Sequence, residues 1–203
     1  MIVAFIHGMI LALGLILPLG VQNVFIFNQG ALQPTAVRIM PAVFTAALCD
    51  TLLILLAVGG VSVLVLSVAW VKTALASVGV VFLVYAGWIT WNTVTSELQD
   101  RQGEERWPVK RQVLFAVSVS LLNPHAILDT IGVIGTSSLS YTGSAKIAFV
   151  AACVIVSWVW FCLLAGVGKF VRYSAKSGQI LTGINRVSAL IMWGCAIYLL
   201  QSI

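Results

Sequence analysis

Two aspartates, Asp50 and Asp129, lie in long apolar stretches that hold no Lys or Arg to pair with them. A lone carboxylate at bilayer depth is costly, and such groups normally mark a substrate, ion or proton site. Without an internal cation, each must be protonated, hydrated or matched by a positive charge that comes and goes. That is the chemistry of transport. The blander reading is a structural carboxyl hydrogen-bonded to a neighbouring helix. The other four acids, Glu97, Asp100, Glu104 and Glu105, crowd into one hydrophilic connector.

Polar and helix-breaking residues cluster in the same stretches. Pro18-Leu19-Gly20-Val21-Gln22-Asn23 is an unusual string for a lipid-facing helix. Proline removes a backbone donor and presses on the carbonyl four residues back, here that of Gly14. Gly20 loosens the next turn, and Gln22 and Asn23 add amides that need partners. A second break, Leu122-Asn123-Pro124-His125, frees the carbonyl of Ser120 and precedes Asp129 by about one turn. Irregular backbone at this depth survives only when buried in protein or lining a wet cavity. Half-helix ends and freed carbonyls are where transporters hold substrates and coupling ions. A plain proline kink would not explain why Gln22, Asn23, Asn123, His125 and Asp129 gather beside the breaks. His125 has two open readings, a proton relay or a side chain fixing the unwound turn. His7 reads as packing. Trp158 and Trp160 read as packing too, with stacking on a flat cation as the alternative.

The elements that must position these groups follow from composition. Hydrophobic residues make up 61% of the 203 and charged residues 8%, and mean hydropathy is +1.07. A soluble domain carries about a quarter charged residues, so this is an all-α polytopic membrane protein. At about 20 residues per span, the chain has room for six spans and no soluble domain. They are expected at 2–28, 36–59, 70–95, 112–136, 143–168 and 181–202. The first lacks a basic leader region and is read as a retained helix. Gly59-Gly60 breaks the apolar run at 59–71, which either extends span 2 or lies at the interface. Asp50 falls about 21 Å into span 2 at 1.5 Å per residue, and Asp129 is similarly deep in span 4.

Basic residues set the orientation. Arg38, Arg101, Arg106, Lys110, Arg111, Lys169, Arg172, Lys176 and Arg186 flank one side, and only Lys72 and Lys146 flank the other. That bias puts the odd-numbered connectors in the cytoplasm and both termini outside. The net charge of +5 is thereby explained by lipid headgroups and insertion, with no nucleic acid implied. Trp70, Trp88, Trp91 and Trp107 read as interfacial anchors. Cys49, Cys153, Cys162 and Cys195 form no C-x-x-C pair and read as buried packing residues. No metalloprotease motif, dinucleotide fingerprint, P-loop or hydrolase context is present, so no enzyme, metal or cofactor is expected.

The polar segment 96–111 divides one transmembrane domain, 1–203, into two three-span halves, 1–95 and 112–203. Three is odd, so related halves would lie inverted. Pro18 and Pro124 interrupt spans 1 and 4 at an offset of 106, and the same offset carries Asn23 onto Asp129.

These residues resemble those of the lysine/arginine exporter (LysE-type) family, most closely its bacterial arginine-exporter branch. The likeness rests on Leu17-Pro18-Leu19-Gly20-Val21-Gln22-Asn23, Asn28-Gln29-Gly30, Cys49-Asp50 and Leu122-Asn123-Pro124-His125 with Asp129, and it covers essentially the whole chain. It implies six spans in two inverted halves, the bacterial cytoplasmic membrane, and proton-driven efflux of basic amino acids. It also implies roles for the Asp50 and Asp129 positions. The family's span 1 string commonly has a second proline where Val21 stands, so the break here is gentler. The branch exporting neutral amino acids usually has Lys where His125 stands, and its absence favours a cationic cargo. The expectation is an exporter of arginine, lysine or canavanine that exchanges protons. Asp50, Asp129, Gln22, Asn23, Asn123 and His125 would bind, with Pro18, Gly20 and Pro124 as the breaks. Export of neutral amino acids or homoserine-type metabolites is the nearest alternative, and divalent-metal export a remote one. Self-association into a homo-oligomer is left open.

Overall fold

The computed structural model describes residues 1–17, 20–61, 69–96, 107–121, 126–127 and 130–172. It also describes 182–183, 186–187, 189–190, 192–194, 196–197 and 200. Among the described residues the regular structure is helical throughout. The elements are α1 (Ile2–Ile16), α2 (Val21–Leu32), α3 (Ala36–Leu56), α4 (Ala69–Ser96), α5 (Val109–Leu121) and α6 (Gly143–Arg172). A π turn, Ala57–Val61, extends α3, and a second, Thr130–Gly135, leads into the short turn Thr136–Ser138. Gly60 takes φ 103, a left-handed conformation that glycine adopts without steric cost, so the expected break at Gly59-Gly60 falls there.

Packing is inverted relative to a water-soluble bundle. On α1, Ala4, Gly8 and Ala12 are buried, while Ile2, Val3, Ile6, Ile10 and Leu13 face outward. Small residues inside and large aliphatic ones outside suit a lipid solvent, where close backbone approach drives helix association. The tightest approach joins α2 and α6. A Cβ on Gly30 would strike the Ala165 carbonyl, and one on Gly168 would strike the Phe27 carbonyl.

Contacts fix the direction of each helix. Ile54, near the end of α3, packs with Ala4 and Ala12 of α1 and with Phe149 near the start of α6. At the opposite end, Phe27 and Ala31 of α2 meet Val171 of α6, and Gln33 reaches the Trp107 carbonyl just before α5. The broken α1–α2 pair and α6 therefore run one way, and α3 and α5 run the other. Arg38, Lys110, Arg111 and Lys169 gather at the Trp107 end, and Lys146 lies at the other. Among the described residues, these basic side chains stand mostly at one end of the helices.

Two helices are long and apolar enough to cross a bilayer, Ala36–Gly60 and Gly143–Val171, and α1 with α2, bent by 80°, makes a broken third. Of the other expected spans, α4 carries a shorter apolar helix, Val80–Asn92. Within the expected span 4, the described residues include most of α5 and the turn Thr130–Gly135. Element ends moved slightly. α5 starts at Val109 because the Pro108 carbonyl accepts from the Arg111 and Gln112 amides, at 3.0 and 3.1 Å. α6 runs on to Arg172, where basic residues suit a helix C-terminus.

Candidate substrate site around Asp50

α2 is short and polar for its setting, yet ten of its twelve residues are buried. A helix with Gln22, Asn23 and Gln29 buried beside its apolar residues belongs in the centre of the molecule. Gly20 precedes it in an extended conformation, and among the described residues no side chain caps its start. This buried terminus is the positive end of a helix dipole.

Asp50 stands beside that terminus. The Gln22 side-chain amide donates to Asp50 Oδ1 at 3.0 Å, a bond across 28 residues that draws α2 onto α3. The Ser157 hydroxyl of α6 approaches the same carboxylate. Both partners are neutral. Among the described residues no Lys or Arg forms an ion pair with Asp50, which stays partly accessible. Cys49 beside it is buried and faces the Ser120 hydroxyl of α5. Ser120 is fully enclosed, and its oxygen makes no complete hydrogen bond among the described residues.

Asn23 bridges the break. Its Nδ2 donates to the Ile16 carbonyl at 2.7 Å, closing an acceptor at the frayed end of α1. Its Oδ1 accepts from Trp160 Nε1 at 3.2 Å. One carboxamide thus ties both sides of the break to α6. Trp158 Nε1 donates to Thr51 Oγ1 at 3.1 Å, and Thr51 in turn donates to the Ala47 carbonyl at 2.7 Å. The two mid-span tryptophans are therefore polar ties around Asp50 as well as packing groups.

The structure brings together Gln22, Asn23 and Asp50, with Gly20 at the mouth of α2. Pro18, Asn123, Pro124, His125 and Asp129 lie outside the described residues, as do Cys195 and the connector acids Glu97, Asp100, Glu104 and Glu105. His7 has the structural role expected of it, with Nδ1 2.8 Å from the Tyr141 hydroxyl and its ring 5.6 Å from that of Phe149. One reading needs correction. Cys162 is exposed rather than buried, because it falls on the outward face of α6. Trp107, part-buried at the basic end, also packs its ring against Phe25 and Phe115 at 5.9 and 5.3 Å.

Sequence reasoning missed Ser157, the hydroxyl of Ser120 and a carboxamide cluster at the basic end. There Gln112 Nε2 donates to the Trp107 carbonyl at 2.9 Å, Gln33 Nε2 reaches the same oxygen at 3.5 Å, and Gln33 also donates to Gln29 Oε1 at 3.2 Å. Gln29, Gln33 and Gln112 are all buried. The four-residue spacing of Gln29 and Gln33, at the end of α2, was the one available signal.

The comparisons with known proteins converge. A family model described as "LysE type translocator" matches residues 13–202. The chain is similar to the Bacillus subtilis (strain 168) protein named "Putative amino-acid transporter YisU", with 53% identity over 195 residues, 96% of this chain and 88% of the relative. It is similar to the arginine exporter protein ArgO of Serratia proteamaculans, 33% identical over 207 residues, covering 98% of this chain and 97% of the relative. ArgO of Pectobacterium carotovorum is 30% identical over 204 residues, with the same coverage. No solved structure matches significantly.

Proposed function

The chain belongs to the LysE type translocator family, whose members are transporters rather than enzymes, and we propose that it exports basic amino acids from the bacterial cytoplasm in exchange for protons. The observation that carries this reading is Asp50, held by the Gln22 amide with no protein cation paired to it among the described residues. Relatives named as arginine exporters support the choice of cargo.

In this mechanism arginine, lysine or canavanine enters from the basic end and is held where the broken helices meet. Asp50, with Asp129, faces the positive side chain or the ammonium. Gln22 orients the Asp50 carboxylate. The start of α2, the positive end of its dipole, takes the α-carboxylate, aided by Asn123, while Asn23 keeps the break at Pro18 and Gly20 in shape. His125, beside Pro124, relays the proton or fixes its turn. Six spans in two inverted halves, 1–95 and 112–203, carry these parts within one domain, with both termini outside. The shared end of Arg38, Lys110, Arg111 and Lys169 supports that orientation through the inside bias of basic residues.

Moving a net positive solute outward against an inside-negative potential costs about 2.3 kcal/mol per 100 mV. A returning proton cancels that charge movement. Competition of proton and substrate cation for the same carboxylates supplies the exchange. The test is counterflow in proteoliposomes, comparing arginine with threonine and leucine. Arginine uptake that Asp50→Asn and Asp129→Asn each abolish, with insertion intact, is the expected result. Preference for threonine or leucine would reassign the cargo to neutral amino acids, and wild-type rates from both variants would overturn the site.

A further inference from the structure

The start of α5 carries a feature that transport of an amino acid does not use. Pro108, Lys110, Arg111, Leu114, Phe115 and Ser118 line an open cleft of about 380 Å³. Its two ends differ chemically. Lys110 and Arg111 stand exposed at the mouth, where the chain passes from the hydrophilic connector into the apolar helix. Leu114, 58% exposed, continues the cleft down the helix with Phe115. Ser118 closes the lower end, and its hydroxyl donates to the Leu114 carbonyl at 2.9 Å, which leaves the wall apolar. From Lys110 to Ser118 the cleft follows α5 for about 12 Å at 1.5 Å per residue.

The arginine is already oriented. Its guanidinium carbon lies 4.2 Å from the centre of the Trp107 ring, so one flat face is taken by the indole. The edge N–H groups of a stacked guanidinium remain available, and their fork matches phosphate oxygens. Among the described residues that line the cleft there is no acid. Two cations at the interface above a two-turn apolar trough fit an amphiphile with a negative head. A free anion would leave the trough empty, and a neutral lipid would leave the cations unmatched.

We propose that this cleft binds an anionic phospholipid, its phosphate between Lys110 and Arg111 and an acyl chain along Leu114, Phe115 and Ser118. Occupancy would hold Arg111 against Trp107, whose carbonyl receives Gln112 and Gln33 and whose ring meets Phe25 of α2. The lipid would thus steady the contact between the two halves of the chain at the basic end.

The experiment is native mass spectrometry of the purified full chain in mild detergent, offered equal amounts of phosphatidylglycerol and phosphatidylethanolamine with matched acyl chains. The wild type should retain phosphatidylglycerol selectively. Joint Lys110→Gln and Arg111→Gln should lower its relative affinity by about thirty-fold, from two interfacial cations. Ser118→Phe, which fills the trough and keeps both cations, should also reduce retention. Arg38→Gln, a cation at the same end but outside the cleft, should not. No lipid preference in the wild type, or undiminished retention by the double variant, would overturn the site. If the double variant does not fold, Ser118→Phe decides, and unchanged retention there is refuting.

Discussion

Asn23→Leu isolates the tie across the broken helix. The change keeps volume and apolarity but leaves the Ile16 carbonyl, bonded at 2.7 Å, and the Trp160 N–H, bonded at 3.2 Å, without this partner. Side-chain hydrogen bonds between membrane helices average about 0.6 kcal/mol and reach about 1.7. Two such bonds, one to a buried carbonyl at a helix end, place the loss at about 1–3 kcal/mol. For a chain of this size each kcal/mol lowers Tm by about 2–4 °C, so a fall of roughly 2–12 °C is expected in detergent. Trp160→Phe removes only the second bond. A double-mutant cycle should give coupling of about 0.6 kcal/mol, measured by thermal unfolding followed through size exclusion. An Asn23→Leu protein as stable as the wild type, with Trp160→Phe strictly additive, would refute the tie.

Substitution at the α2–α6 crossing should be more damaging. Gly30→Leu and Gly168→Leu both drive a side chain into facing backbone and should cost about 2–4 kcal/mol or prevent accumulation, whereas Gly14→Ala, with open space around it, should leave yield unchanged on immunoblots. Gln22→Leu, which removes the amide donor to Asp50, should lower arginine counterflow several-fold with normal expression, and Gln22→Glu should lower it further by adding a like charge beside the carboxylate. In a cysteine-free background, Lys110→Cys and Lys146→Cys should react with an impermeant maleimide from opposite faces of the membrane, the first only in inverted vesicles. Labelling of both from one face would contradict the orientation.

Much of this architecture was written in local chemistry. Pro18 and Gly20 announce a break, and α1 indeed ends at Ile16 and α2 begins at Val21. Asp50 and Gln22 each stand out because carboxylates and amides in apolar runs need partners. That they partner each other, 28 residues apart, depends on how α2 lies across α3, which periodicity does not encode. Ser157 was hidden for the opposite reason, since serine is common in membrane helices and becomes notable only beside a carboxylate. Trp107 stands out by its distance from a span end, but that its carbonyl receives Gln112 and Gln33 and its ring meets Phe25 depends on the fold. Gly30 and Gly168 likewise carry no local mark that separates them from the unconstrained Gly14 and Gly166.

The most direct test of Asp50 as an exchangeable counter-ion site is proton release on substrate binding. Purified protein in unbuffered detergent solution, near neutral pH, is titrated with arginine while pH is recorded. Release of protons in proportion to bound arginine, lost or sharply reduced in Asp50→Asn, is the expected result. Saturable arginine binding with no proton release, or release undiminished in Asp50→Asn, would contradict it.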